Sequence, residues 1–212
     1  MKPTKHIYKK NKNKKKIIKN KKNKSDLNII TEDNRIYFRG NVTDEKIQKL
    51  IDVINLKNKK FDEIKKNLLV KHAEPNPLYL HITSYGGDLL AGFRAIDAIQ
   101  RSKIPIYTIV DGYAASAATL MSVVGAKRFM TPNSYMLIHQ LSSGAIGKYW
   151  EIKDEYENCE MMMNDIYNLY LKHSKMNIDD LKKYLEHDLW WEYKQCIEKG
   201  LIDELYDSDS CL

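Results

Sequence analysis

An α/β fold with a mainly parallel sheet is what the sequence predicts, and three observations carry it. Short segments such as "NRIYFRG", "LYLHIT" and "IPIYTIVDG" alternate or concentrate apolar residues as strands do. Between them, "TDEKIQKLIDVINL" and "DLLAGFRAIDAIQ" space apolar residues three and four apart, as helices do. Glycine or proline marks the junctions, as in "SYGGD" and "PNP".

The elements follow in order. Ile36 and Phe38 alternate with polar neighbours between Asn34 and Gly40, a half-buried strand. Ile47, Leu50, Ile51 and Ile54 then form one helical face, with Thr43 as the N-cap candidate. Residues 57–77 are lysine-rich, end in "PNP" and are expected to contain a surface connection. Leu78 to Thr83 make the next strand, and "SYGGDLLAGFRAIDAIQRS" a turn and helix with Leu89, Phe93, Ile96 and Ile99 on one face. "IPIYTIVDG" is a third strand and "SAATLMSVVG" a short apolar helix ending at Gly125. "RFMT" and "YMLIHQ" read as short strands.

From Gly147 to His173 one long helix is expected. Ile152, Tyr156, Cys159, Met163, Ile166 and Tyr170 advance by alternate steps of four and three, a seam for lengthwise packing on another helix. A core-facing helix and a protruding, subunit-pairing helix both fit this seam. Met161, Met162 and Leu169 widen the apolar surface and favour the second. "NIDDLKKYLEHD" opens a helix capped by Asn177, "EYKQCIEKG" is another stopped by Gly200, and "LIDEL" closes the domain as a strand or turn.

A chain of 212 residues can bury one substantial core. No apolar run approaches the roughly 20 residues that span a bilayer, and the N-terminus carries no apolar signal-peptide core. Cys159, Cys196 and Cys211 form no close ligand pair, which reads as reduced thiols and no metal site. The net charge of +7 is concentrated in one place. Residues 1–24 hold twelve lysines, no arginine and no acid; taking these from the 35 basic residues leaves 23 against 28 acids. Residues 1–30 are therefore expected to be a disordered basic tail, residues 31–207 one mildly acidic domain, and residues 208–212 a short C-terminal tail. Such a tail suits a plain solvated extension, an anionic partner (nucleic acid or membrane surface) or a targeting segment.

Ser116 stands among alanines in "GYAASAATL", straight after a strand. Serine hydrolysis needs a hydroxyl, a base to take its proton, a carboxylate to orient the base, and N–H donors for the oxyanion. Ser116 is the candidate nucleophile, His139 at the end of "YMLIH" the candidate base, and Asp188 the candidate orienter. The two tryptophans after Asp188 are expected to exclude water around it. Taken singly, each has a plain structural alternative: a helix cap, a satisfied histidine, a surface carboxylate. The glycine pair in "SYGGD" lets a peptide N–H face a cleft and lets substrate backbone approach. An α/β-hydrolase does not fit, because G-x-S-x-G is missing and the order is Ser, His, Asp.

Together, "RIYFRGNV", "LHITSYGGDLLAGFRAIDAIQ", "VDGYAASAATLM", "MLIHQ" and "HDLWWEYKQCIEKGLIDEL" resemble, in order from about Asn34 to Leu205, the proteolytic subunit of the Clp protease, the ClpP family of serine peptidases. The resemblance implies a crotonase-like α/β fold with a protruding handle helix, formed by the long helix, and a Ser116–His139–Asp188 triad. It assigns the oxyanion hole to the backbone N–H groups of Gly87 and Ala117, and places "SSGAIG", Ser142 to Gly147, beside the substrate cleft. It also implies heptameric rings stacked in pairs, polypeptide substrates and a partner AAA+ unfoldase. The sequence has no phosphate-binding loop, so ATP would be used by that partner, and no cofactor is implied for this chain. The chain departs from the family at Tyr85 and Leu141, where proline is usual, and at Ala117, where methionine is common. Residues 1–30 do not resemble the family's axial hairpin, which contacts the unfoldase. The expected function is serine endopeptidase. The alternatives are a catalytically silent subunit of a mixed ring and, less well matched, an acyl-CoA enzyme on the same scaffold. The cytoplasm is the expected compartment, or an organelle if the basic N-terminus is a targeting segment.

Overall fold

The computed structural model describes residues 29–67 and 75–206. The lysine-rich residues 1–28 and their expected disorder, residues 68–74 of the expected surface connection, and residues 207–212 with Cys211 lie outside the described residues.

The strands are β1 (Ile30–Glu32), β2 (Arg35–Arg39), β3 (Leu78–Ser84), β4 (Ile106–Ala115), β5 (Lys127–Met130), β6 (Tyr135–Leu137), β7 (Trp190–Trp191) and β8 (Glu204–Leu205). The helices are α1 (Asp44–Asn67), α2 (Leu89–Gln100), α3 (Ala117–Val123), α4 (Tyr149–His173), α5 (Ile178–Leu185) and α6 (Tyr193–Glu198). The sheet order is β1-β2-β3-β4-β5-β8, parallel from β2 through β8, with β1 antiparallel on β2. This is the mixed α/β architecture expected.

β4 organises the molecule. Its first half, Tyr107–Val110, pairs with β5; its last residues, Tyr113–Ala115, pair with β6, while Ala114 still pairs with Ser84 of β3. Between the two halves the register with β3 shifts. β6 then carries the antiparallel β7. The sheet thus branches at β4, whose C-terminal end stands at the branch point.

Packing explains the strand and helix patterns. Ile36 and Phe38 of β2, Leu80 and Ile82 of β3, and Ile47, Leu50 and Ile54 of α1 are all buried in one core. Each such side chain is worth about 1.5–3 kcal/mol relative to exposure. Thr43 caps α1 through its hydroxyl, which accepts from the Lys46 N–H at 3.3 Å, and Asp88 caps α2 by accepting from the Ala91 N–H at 3.0 Å. Asn177 caps α5 and Gly200 follows α6 at positive φ, as expected.

Three elements differ from the sequence expectation. α1 continues through residues 57–67, beyond Leu56, where the expected helix ended. Asn58 accounts for this: its side-chain oxygen accepts from the Ser102 hydroxyl and from the N–H groups of Lys103 and Ile104, so the helix's second half caps the turn before β4. Two short strands, β1 and β7, were not expected, because two or three residues carry no periodicity.

α4 fits both readings of its seam, one for each half. Ile166 and Tyr170 near its C-terminal end are buried in the core. Tyr149, Trp150, Ile152, Tyr156 and Met161 near its start are exposed, as befits a handle standing out from the body.

Candidate active site

Ser116 sits between β4 and α3 with φ 55° and ψ −131°, one of two non-glycine residues at positive φ among those described. Such a conformation costs of order 1–3 kcal/mol and persists only where its surroundings fix it. They do. The Ser116 N–H donates to the Leu137 carbonyl at 2.9 Å. Its carbonyl accepts from the Thr119 N–H at 2.9 Å and the Thr119 hydroxyl at 2.5 Å. The Thr119 hydroxyl in turn contacts the Tyr170 hydroxyl at 2.6 Å. The Ser116 side chain makes no capping bond to α3, so its hydroxyl is not engaged as a helix cap.

The glycine pair allows the backbone to come this close. Gly86 has φ 92°, and a Cβ there would lie 2.6 Å from the Ser116 Cβ and 2.7 Å from the Ala115 carbonyl oxygen. Gly87 has φ 146°, and its Cβ would collide with the Val42 carbonyl. Gly87 bridges to Val42 through two bonds, Val42 N–H to the Gly86 carbonyl and Asp88 N–H to the Val42 carbonyl. Neither uses the Gly87 N–H. Ala117 begins α3, and the first N–H groups of a helix have no partner within it.

Strand register brings the imidazole to the carboxylate. β6 and β7 pair Met136 with Trp191 and Leu137 with Trp190. Continuing that register by two residues sets His139 opposite Asp188. Their side chains meet, Nδ1 to Oδ1, at 3.1 Å. A carboxylate only accepts, so Nδ1 carries the hydrogen, and the neutral form of this imidazole has its lone pair on Nε2. His139 lies two residues past the end of β6 rather than at the strand's last position, because β6 stops at Leu137.

The expected shielding of Asp188 is not found. Its side chain is 76% exposed and that of His139 27%. Strand alternation is the reason: Trp191 turns into the core and Trp190 out of it, so neither covers the carboxylate.

Ser116 and His139 line one cavity of about 120 Å³. Gly87 and Ala117 share its wall, and Leu89, Leu120, Leu141, Ile166 and Tyr170 make it apolar. Ser142, from the "SSGAIG" segment, also borders it. Burial pushes the Tyr170 hydroxyl far above its ordinary value, more than the Thr119 bond lowers it, so Tyr170 stays a neutral hydrogen-bonding group. The arrangement can hold an apolar side chain beside a hydroxyl, two N–H donors and an oriented imidazole. Among the described residues no group of three His, Cys, Asp or Glu could hold a metal ion. Sequence reasoning missed the Thr119–Tyr170 support; the only hint was that Thr119 lies three residues after Ser116, where a side chain can return to the backbone.

The sequence matches the model of the Clp protease family over residues 19–209. Among curated proteins it is 37% identical over 131 residues to the ATP-dependent Clp protease proteolytic subunit 2 of Treponema denticola, covering 61% of this chain and 66% of that one. It is 33% identical over 133 residues to the ATP-dependent Clp protease proteolytic subunit 2 of Treponema pallidum, covering 62% of this chain and 67% of that one. The chain thus aligns with about two thirds of the length of these relatives.

Proposed function

The chain belongs to the Clp protease family, and from that premise we propose that it is a serine endopeptidase that cleaves unfolded polypeptides inside an oligomeric chamber. The observation that carries this reading is the 3.1 Å His139–Asp188 bond, with the imidazole and Ser116 facing one cavity.

Ser116 Oγ attacks the peptide carbonyl while its proton passes to His139 Nε2. The charge developing on the carbonyl oxygen is held by the N–H groups of Gly87 and Ala117. His139 then gives the proton to the leaving amine as the C–N bond breaks; water, deprotonated by the same imidazole, attacks the acyl carbon, and the imidazolium returns the proton to Ser116 Oγ as the ester C–O bond breaks. Asp188 keeps Nδ1 protonated and steadies the imidazolium. Every group this scheme needs belongs to the chain, so no cofactor is invoked, and any ATP is used by a partner unfoldase.

The peptidase domain is taken as residues 31–207. Seven-membered rings stacked in pairs through the exposed half of α4 enclose the serines and give Asp188 the shielding it lacks in the single chain. The free thiols of Cys159 and Cys196 accord with the reducing cytoplasm. A catalytically silent subunit is the second reading. What favours it is that, among the described residues, the Ser116 hydroxyl makes no hydrogen bond to the imidazole; such bonds often tighten only when substrate binds.

A fluorophosphonate probe separates the two. In the assembled protein it labels Ser116, and His139→Ala lowers peptide cleavage by at least about a thousandfold. An assembled particle that neither reacts with the probe nor cleaves peptides is the silent subunit.

A further inference from the structure

Three aromatic side chains outside the cavity form a connected shelf. Tyr85 and Tyr113 stack with ring centroids 4.2 Å apart and planes at 29°. Trp190 meets Tyr85 edge to face at 6.2 Å and 82°. Scattered surface aromatics need no explanation. Three in contact, brought from three separate segments, with Tyr85 63% and Trp190 42% exposed, are a different case.

Their placement ties them to the reacting serine. Tyr85 precedes Gly86, which packs directly against Ser116. Tyr113 lies on β4 three residues before Ser116. Trp190 pairs with Leu137, whose carbonyl takes the Ser116 N–H, and stands two residues after Asp188. None of the three lines the apolar cavity, whose wall includes the oxyanion donors Gly87 and Ala117.

We infer that Tyr85, Tyr113 and Trp190 form a subsite that takes an aromatic side chain of the polypeptide on the leaving-group side of Ser116. This rests on the peptidase reading above. In that reaction the acyl half of the substrate shares its surroundings with the oxyanion donors, so its side chain enters the apolar cavity. The leaving amine must take its proton from His139, so the other half of the substrate runs past the imidazole. The shelf meets that path through Trp190, which opens β7 two residues after Asp188, the carboxylate bonded to the imidazole. Stacked rings have few torsions to freeze and present open faces, so a substrate aromatic ring adds to an ordered stack.

The test uses the assembled full-length Ser116→Ala protein, which binds without cleaving, and two fluorescein-labelled decapeptides. Each carries one leucine for the cavity, followed by phenylalanine in one and glycine in the other. Fluorescence anisotropy is expected to show the phenylalanine peptide binding about fivefold or more tighter. Tyr85→Ala or Trp190→Ala in that background erases the difference, and Tyr85→Phe restores it. Equal binding of the two peptides overturns the subsite, as does a preference that survives Tyr85→Ala. A particle mass changed by Tyr85→Ala also overturns it, by making the shelf a subunit contact. Because the readout is binding, a failure of the peptidase reading appears separately, as absent labelling and cleavage by the unsubstituted protein.

Discussion

At the scale of single residues, the site depends on groups outside the triad. Tyr170 reaches Ser116 through Thr119, a route by which a helix about 50 residues away steadies the strained serine. Tyr170→Phe keeps the ring that lines the cavity but removes the hydroxyl. The expected result is a fall in kcat of about tenfold with little change in KM, and a stability loss of about 1 kcal/mol, read by steady-state kinetics and chemical unfolding. His81 gives a pH signature. It is buried, stacked on Tyr37 at 4.8 Å, and its Nδ1 stands 3.5 Å from Asp111 without a completed hydrogen bond. Burial lowers its pKa from 6.5 by more than Asp111 raises it, and Arg35 and Arg39 lower it further. The unfolded chain therefore takes the proton first. Stability is complete above about pH 6.5 and declines as the pH falls below it, as far as the lowered value in the fold. His81→Phe keeps the packing and should flatten this decline in thermal unfolding measured from pH 7.5 to 5; an unchanged slope would locate the acid sensitivity elsewhere.

At the scale of elements, α4 has two halves with different consequences. Ile166→Ala opens a hole in the core and is expected to cost about 2–5 kcal/mol, read by unfolding of the assembled protein. Ile152→Glu and Tyr156→Glu change exposed positions on the same seam. They should leave the folded subunit intact and reduce the particle from paired to single rings or smaller, read by multi-angle light scattering. Paired rings of unchanged mass in both variants would show that this half of the helix does not join subunits. The short β7 matters out of proportion to its two residues, because its register with β6 is what sets Asp188 opposite His139.

At the scale of the whole molecule, Arg128 closes the fold. Its guanidinium donates to the carbonyls of His173 and Gly200 and to the Asp203 carboxylate, joining the end of α4, the end of α6 and the approach to β8. Burial alone would raise the Asp203 carboxyl, but its bonds to Arg128 outweigh this and hold it below its ordinary value. Arg128→Met leaves two carbonyls without their donor, while the Asp203 carboxylate keeps the backbone N–H of residue 128, and is expected to cost about 1.5–3 kcal/mol, read by urea unfolding; a loss below about 0.5 kcal/mol would mean that water replaces the guanidinium freely.

The sequence by itself determined the α/β class, the order of the main strands and helices, the caps at Thr43 and Asn177, and the identities of Ser116, His139 and Asp188 as candidates. These are local properties: periodicity, cap chemistry and residue type are written within a few positions of one another. It missed the second half of α1, because that half is held by Asn58 across a gap of more than 40 residues and not by an apolar stripe. It expected a dry Asp188 from two neighbouring tryptophans, where strand alternation sends one of them away. Only the tertiary structure decided that the imidazole and the carboxylate are bonded, that Ser116 is strained and braced by Tyr170, and that three aromatic rings meet beside it. The reason is physical: contact between residues distant in the chain follows from strand register and from the branching of the sheet at β4, and register is a property of pairs of segments that neither segment encodes alone.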